Sequence, residues 1–165
     1  MYEKFIYRFC GVICNTIEVS YSMMADLGID LNDSEKVSKF YHDLDWNLLL
    51  NKCININNSM ENIKKLMNSG KFDIAILTHV NSMGEIISKV NYIRKYLKDV
   101  TIIPVPKKIS KTQMINARFS ILVDDYAQNL DEWKAAGGIG VRFDLDMDGK
   151  GFLVINHLDE LLELF

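Results

Sequence analysis

Short apolar runs that suit buried strands recur along this chain, and amphipathic segments that suit helices lie between them. The predicted strands span residues 5–9, 72–77, 100–105, 119–123 and 138–143. Strands that alternate with helices form a parallel sheet with helices on both faces, as in Rossmann-like folds. The pattern therefore predicts a single α/β domain over residues 1–165.

Residues 18–58 break this alternation, because they carry helical patterns and no strand pattern. Ser34 is expected to cap a helix that runs to about Leu50, with Val37 on its apolar stripe. At about 100° per residue, Trp46 falls roughly opposite Val37 and off that stripe. We interpret the segment as a small helical cap inserted into the main domain.

The composition is that of an ordinary soluble domain, since 48% of the 165 residues are hydrophobic and 25% are charged. Nineteen basic and 22 acidic residues give a net charge of -3, which argues against a nucleic acid polymer as partner. No apolar run is long enough for a membrane span, and charged residues near the N-terminus argue against a signal peptide. The three cysteines form no C-x-x-C pair, so we expect free thiols in a reducing cytoplasm.

Polar side chains lie near or just after the ends of the first four predicted strands, and in a parallel sheet these strand ends share one edge. They are Arg8 and Cys10, then Thr78, then Lys111, then Asp124 with Asp125. The hydroxyl of Thr78 and the ammonium of Lys111 suit a phosphoryl group. The paired carboxylates of Asp124 and Asp125 suit a hard cation such as Mg²⁺. The sequence therefore predicts a phosphate site and a metal site at this edge.

The stretch I-L-V-D-D-Y-A-Q-N-L-D-E-W-K-A-A-G-G-I-G-V-R-F, from Ile121 to Phe143, resembles the fourth motif of the haloacid dehalogenase superfamily of phosphohydrolases. Within that superfamily it is most similar to the 5'-nucleotidases related to the cytosolic 5'(3')-deoxyribonucleotidases, type C. I-A-I-L-T, ending at Thr78, resembles the second motif, and P-V-P-K-K-I-S-K, with Lys111, resembles the third. The resemblance implies a helical cap, a magnesium cofactor, and a nucleotide or small phosphorylated molecule as substrate.

The first motif of that family reads D-x-D-G-V, whereas this chain has R-F-C-G-V at the same place. The resemblance therefore puts Arg8 at the position of the aspartate nucleophile and Cys10 at the position of the general acid/base. Arg8 cannot attack phosphorus, because a guanidinium keeps its proton. The sequence thus predicts the loss of aspartyl-phosphate chemistry.

Charge balance suggests what replaces the metal. Arg8 and Lys111 carry two positive charges, and Asp124 and Asp125 carry two negative charges. The group is neutral without an ion, so we hypothesise that Arg8 takes the place of the cation and pairs with one of the two carboxylates. The alternative is that Arg8 turns toward solvent and the carboxylates are hydrated.

Three further residues are weaker candidates for contact with a substrate. Tyr41 and Trp46 lie in the predicted cap and either stack on a nucleobase or pack within the cap. His79 either borders the crevice or merely ends a strand. Three functions stay open: a protein without hydrolytic activity that binds phosphate or a nucleotide, an active magnesium-dependent phosphomonoesterase, and a structural protein with a protein partner or a second copy.

Overall fold

The chain forms a six-stranded sheet flanked by helices, and the computed structural model describes residues 3–165, with side chains from residue 8 onward. The strands are β1 (Glu3–Arg8), β2 (Phe72–Val80), β3 (Thr101–Pro106), β4 (Ser120–Asp124), β5 (Ile139–Phe143) and β6 (Leu153–Ile155). The helices are α1 (Thr16–Asp26), α2 (Ser34–Asp43), α3 (Trp46–Lys52), α4 (Ser59–Asn68), α5 (Met83–Arg94), α6 (Lys111–Met114), α7 (Ala127–Ala135) and α8 (Leu161–Leu164), with short 3₁₀ turns at Ile56–Asn58 and Leu158–Glu160. A helix that crosses a bilayer needs about 20 apolar residues, and none within residues 3–165 meets that requirement.

The sheet is parallel throughout, in the order β3-β2-β1-β4-β5-β6. This confirms the predicted α/β class. The first strand is central, and its neighbours are β2 and β4. Arg8 lies beside Leu77 of β2, and Tyr7 lies beside Val123 of β4. The carboxyl ends of the three central strands therefore meet at one edge, as the sequence pattern required.

Helices cover both faces of the sheet, and the alternation of side chains along β4 shows why. Ile121 and Val123 belong to the larger core cluster, which includes residues of α3, α4 and α5. Leu122 points to the other face, where it belongs to a second cluster with Leu130 and Trp133 of α7. A strand buried on both faces reads as a continuous apolar run, which is why these strands were recognisable in the sequence.

The prediction of one helix from Ser34 to about Leu50 is wrong. The chain leaves the helical conformation at Leu44 and Asp45, and Asp45 begins α3 by accepting hydrogen bonds from two backbone N–H groups. The interruption resets the helical phase. Trp46 is consequently buried in the larger core cluster, whereas Leu48 is exposed.

The C-terminal region also differs from the prediction. β6 pairs with β5 and adds a sixth strand that the sequence did not reveal, because three residues are too few to show a period. After β6 come a 3₁₀ turn and the one-turn helix α8. Glu160 accepts hydrogen bonds from the backbone N–H groups of Asn156 and His157.

The interruption before α3 can be tested at Asp45. Asp45→Ala should lower the free energy of unfolding by about 0.5–2 kcal/mol, because it removes the cap from two backbone N–H groups. Asp45→Asn keeps an acceptor at the same place and should change stability little. Thermal and urea unfolding measure both. In a continuous helix alanine would be the better residue, so a more stable Asp45→Ala protein would contradict the break.

Candidate functional site

The ends of β1 and β4 bring a guanidinium and two carboxylates together. Arg8 is the last residue of β1, Asp124 is the last residue of β4, and Asp125 follows it. Nη1 of Arg8 donates to Oδ1 of Asp124 at 3.1 Å and to Oδ1 of Asp125 at 2.6 Å. The ion pair hypothesised from charge balance is therefore present, and Arg8 does not turn away into solvent.

Asp124 is fully buried, and all of its acceptor capacity is used. Besides Arg8, its Oδ1 accepts from the backbone N–H of Tyr126 at 2.9 Å. Its Oδ2 accepts from the side-chain amide of Asn129 at 2.9 Å and from the ammonium of Lys111. A carboxylate has about four acceptor positions, so Asp124 is saturated by protein donors. Burial alone would raise the pKa of Asp124, but Lys111 and Arg8 outweigh it and hold the pKa below its ordinary value.

Asp125 is in a different state, although it shares Arg8 with Asp124. Its side chain is 25% exposed, and it has no lysine partner among the described residues. Burial, with help from the charge of Asp124, raises the pKa of Asp125 to about 6 against the opposing effect of Arg8. Its carboxylate also lies directly against Gly11, where a Cβ would come within 2.2 Å of Oδ2.

Arg142 is a site residue that the sequence reading missed. It lies in β5, is buried, and donates to the backbone carbonyl of Asp125 at 2.7 Å and to Oδ2 of Asp144 at 2.9 Å. It thereby fixes the backbone that carries the second carboxylate. The signal was available in the sequence, because Arg142 is a charged residue inside an otherwise apolar predicted strand.

The two residues predicted to bind phosphate are both buried and already engaged. Lys111 begins α6, and its ammonium pairs with Asp124. Burial lowers the pKa of Lys111, and the carboxylate of Asp124 opposes that effect. Thr78 lies within β2 rather than at its end, and its hydroxyl accepts from Nζ of Lys89 at 3.1 Å.

Lys89 and Glu85 form a second buried ion pair, which the sequence reading also missed. Their side chains are 1% and 2% exposed, and Nζ of Lys89 lies 2.6 Å from Oε1 of Glu85. Nζ also lies 4.6 Å from the centre of the Trp46 ring, within range of a cation–π interaction. A glutamate four residues before a lysine on a helix normally indicates a solvated pair, so no signal in the sequence marked this one as buried.

The three weaker candidates surround a cavity next to Arg8. Tyr41, Trp46 and His79 lie on its wall, together with Cys10. The hydroxyl of Tyr41 shares a hydrogen bond of 2.9 Å with Ser20. A ring nitrogen of His79 lies 3.2 Å from the carbonyl oxygen of Ile109, and burial followed by the charge of Lys111 lowers the pKa of His79. The structure thus brings these residues to one cavity, and their roles in binding stay predictions.

Comparisons with known proteins identify the fold through structure alone, since no protein-family model and no curated protein matches the chain in sequence. A hydrolase of the haloacid dehalogenase superfamily, subfamily IA, from Geobacter sulfurreducens matches with a TM-score of 0.65 and 14% identity, over 99% of this chain and 96% of that one. This chain has the haloacid dehalogenase fold.

Two further structures carry phosphate. A haloacid dehalogenase family hydrolase from Deinococcus radiodurans, with bound phosphate and sodium, has a TM-score of 0.63 and 14% identity over 97% of this chain and 93% of that one. CbbY from Rhodobacter sphaeroides, in complex with phosphate, has a TM-score of 0.61 and 12% identity over 98% and 96%. At such identities the likeness concerns the fold.

In this haloacid dehalogenase fold, the side chains around Asp124 and Asp125 leave no suitable site for a magnesium ion. Each oxygen of Asp124 already accepts two hydrogen bonds, and the guanidinium of Arg8 lies between the two carboxylates. Among the described residues no group of three or more histidine, cysteine, aspartate or glutamate side chains could hold a metal ion. With Arg8 and Lys111 present, the charges of the cluster sum to zero without a metal.

Gly11 can be tested against Gly28. Both have a positive φ, 80° and 67°, so alanine should cost about 1–2 kcal/mol at either position for backbone strain. Only at Gly11 would the new methyl group displace Asp125 from Arg8. Gly11→Ala should therefore lower the free energy of unfolding by about 1–3 kcal/mol more than Gly28→Ala. Equal losses in urea unfolding would show that Asp125 does not depend on this contact.

The two carboxylates should give opposite pH dependences. Because folding raises the pKa of Asp125 from 3.8 to about 6, its contribution to stability is complete below pH 3.8 and is lost as the pH rises through 6. Relative to Asp125→Asn, the natural protein should thus lose on the order of 2 kcal/mol between pH 4 and pH 7.

Asp124 supplies the matched control for that experiment. Its pKa is lowered on folding, so its contribution is present above pH 3.8 and is lost as the pH falls through its folded pKa. Asp124→Asn should therefore be strongly destabilised at neutral pH, and the difference should shrink in acid. Parallel profiles for the two variants, measured by chemical unfolding at a series of pH values, would contradict the assignment.

Proposed function

We propose that this protein binds a small phosphorylated molecule or a nucleotide without hydrolysing it through an aspartyl-phosphate. The observation that carries the proposal is the guanidinium of Arg8, which holds both Asp124 and Asp125 at hydrogen-bonding distance. The family resemblance assigns the position of Arg8 to the attacking carboxylate. A permanently protonated guanidinium can neither attack phosphorus nor ligate a cation.

The rest of the chemical machinery points the same way. Cys10 stands where the resemblance expects the acid that protonates the leaving oxygen, and a thiol is a poor proton donor to an ester oxygen. Lys111, the expected phosphate ligand, is neutralised by its ion pair with Asp124. Two neighbours of the same fold hold phosphate, CbbY from Rhodobacter sphaeroides and the hydrolase from Deinococcus radiodurans. Phosphate in those two structures supports an anion as the ligand of this chain, bound without covalent chemistry.

The relationship to the 5'-nucleotidases belongs to the same proposal. It is supported by the D-D-x-x-x-N pattern, because Asn129 donates to Asp124 and so gives the spacing of the pattern a structural role. The alternative is a working magnesium-dependent phosphomonoesterase with Asp124 as a metal ligand. That enzyme would have to break the ion pairs that Asp124 makes with Arg8 and Lys111.

Thermal unfolding with and without Mg²⁺ tests whether Arg8 takes the place of a metal cation. Mg²⁺ should leave the midpoint of the natural protein unchanged. Arg8→Asp should create a cation site, so saturating Mg²⁺ should stabilise that variant, by about 2.7 kcal/mol at one hundred times Kd. Arg8→Ala should be less stable than the natural protein, because Asp125 loses its partner and Asp124 loses one of its two cations.

Activity provides the second measurement. Steady magnesium-dependent release of phosphate from a deoxynucleoside monophosphate, abolished by Asp124→Asn, would overturn the proposal. Tight binding of Mg²⁺ by the natural protein in calorimetry, together with unchanged stability of Arg8→Ala, would also overturn it. The double variant Arg8→Asp with Cys10→Asp restores both carboxylates of the first motif, and it serves as the positive control for the assay.

A further inference from the structure

A cavity of about 170 Å³ lies between the start of α1, the helices α2 and α3, and the edge of the sheet, and we call it the α1 cavity. Its wall includes Arg8, Thr16, Tyr41, Trp46, Lys89 and Lys107. Arg8 and Lys89 are neutralised by the carboxylates described above. Lys107 has no carboxylate partner among the described residues, and its ammonium lies 5.9 Å from the centre of the Tyr41 ring. The exposed Lys107 therefore adds to the wall of the α1 cavity one positive charge without a carboxylate partner among the described residues.

Thr16 gives independent evidence for a hydrogen-bonding ligand in this cavity. The residue is only 3% exposed, and its Oγ1 is the one buried side-chain nitrogen or oxygen in the described part of the chain that lacks a hydrogen-bond partner. Buried polar groups are almost always paired, and an exception calls for an explanation such as an absent ion or ligand. Thr16 also lines the α1 cavity, so a rotation of its side chain toward a ligand there would supply the partner.

The backbone at the same place favours an anion. Thr16 and Ile17 are the first two residues of α1, a helix of 11 residues, and both line the cavity. The residue before them, Asn15, makes no capping hydrogen bond, because its Oδ1 accepts from the backbone N–H of Ile54 at 2.8 Å. The first-turn N–H groups of α1 are thus left without a side-chain cap. Such N–H groups, together with the helix dipole, bind phosphate well.

We propose that the α1 cavity binds a phosphate group through Thr16, the first-turn N–H groups of α1 and Lys107. The inference rests on the proposed function, and it moves the anion away from Thr78 and Lys111, which are already engaged. The cavity is smaller than the usual ligand pocket of about 300–1,000 Å³, so it suits the phosphate group rather than a whole nucleotide. Tyr41 and Lys107 also line an adjoining groove of about 450 Å³, where an organic remainder would lie.

The test is calorimetric titration of the full chain with inorganic phosphate, glycerol phosphate and adenosine monophosphate. Thr16→Val should weaken the binding of all three by roughly tenfold, because it removes one hydroxyl and keeps the shape. In phosphate-free buffer the same variant should melt at the same or a higher temperature, since the lost hydroxyl has no partner in the protein. Lys107→Ala should weaken binding several-fold, whereas Lys108→Ala, which removes the neighbouring exposed lysine, should leave it unchanged.

The outcomes separate this inference from the proposed function. If neither Thr16→Val nor Lys107→Ala alters phosphate binding, the α1 cavity is not the phosphate site, and the proposed function still stands. A destabilised Thr16→Val protein in phosphate-free buffer would also overturn the assignment to the α1 cavity, because the hydroxyl would then have a structural partner. Hydrolysis accompanied by binding that depends on Thr16 would overturn only the proposed function, and failure of all three phosphates to bind would overturn both.

The source of the phosphate follows from the same titrations. Equal affinity for all three compounds would assign free phosphate as the ligand. Tighter binding of the two esters would show that the groove beside Tyr41 and Lys107 holds an organic group. A preference for adenosine monophosphate over glycerol phosphate would extend the site to nucleotides.

Discussion

The carboxylate of Asp124 has no contact with solvent, and an anion in that position is tolerated only if protein donors replace its water. Four donors do so, from the end of β1, the start of α6, the turn after β4 and the first turn of α7. The arrangement of the central sheet edge depends on this requirement. Loss of any one donor leaves part of a charge uncompensated in a nonpolar environment, which is among the costliest defects in a folded protein.

The same requirement explains why Arg8 is tolerated at the end of a central strand. Its guanidinium cannot lose its proton, so it needs carboxylates close by, and the parallel register of β1 and β4 supplies two. Lys111 balances the second negative charge. Lys89 and Glu85 repeat the solution on the other side of β1, where the ammonium also holds the hydroxyl of Thr78. Two neutral clusters therefore occupy the polar groups that a phosphate ligand would otherwise meet at the strand ends.

Function does not follow from the fold alone, and this chain illustrates the distinction. Its backbone matches haloacid dehalogenase hydrolases over nearly its whole length at 14% identity or less. Backbone topology survives at that level because many sequences satisfy the same apolar pattern. The chemistry depends instead on a few side chains at the strand ends. Here Arg8 and Lys111 form a charge-neutral cluster with two carboxylates, and the unpaired hydroxyl of Thr16 lies at the start of α1.

The sequence by itself determined the α/β class and the pairing of Arg8 with a carboxylate of Asp124 or Asp125, whereas the structure shows that Arg8 reaches both. Short apolar runs and the balance of four charges can be read from the sequence without coordinates. The tertiary structure decided the rest. Only packing shows that Lys89 and Glu85 are buried, because a pair four residues apart on a helix looks the same on a surface.

The break before α3 and the state of Thr16 were also decided by tertiary structure. Helical periodicity continued through Leu44 and Asp45, but the Asp45 side chain caps a new helix there and turns Trp46 into the core. Three residues of β6 became a strand only because β5 offered an edge to pair with. Whether the hydroxyl of Thr16 has a hydrogen-bond partner depends on the positions of all the atoms around it. A sequence pattern does not contain those positions.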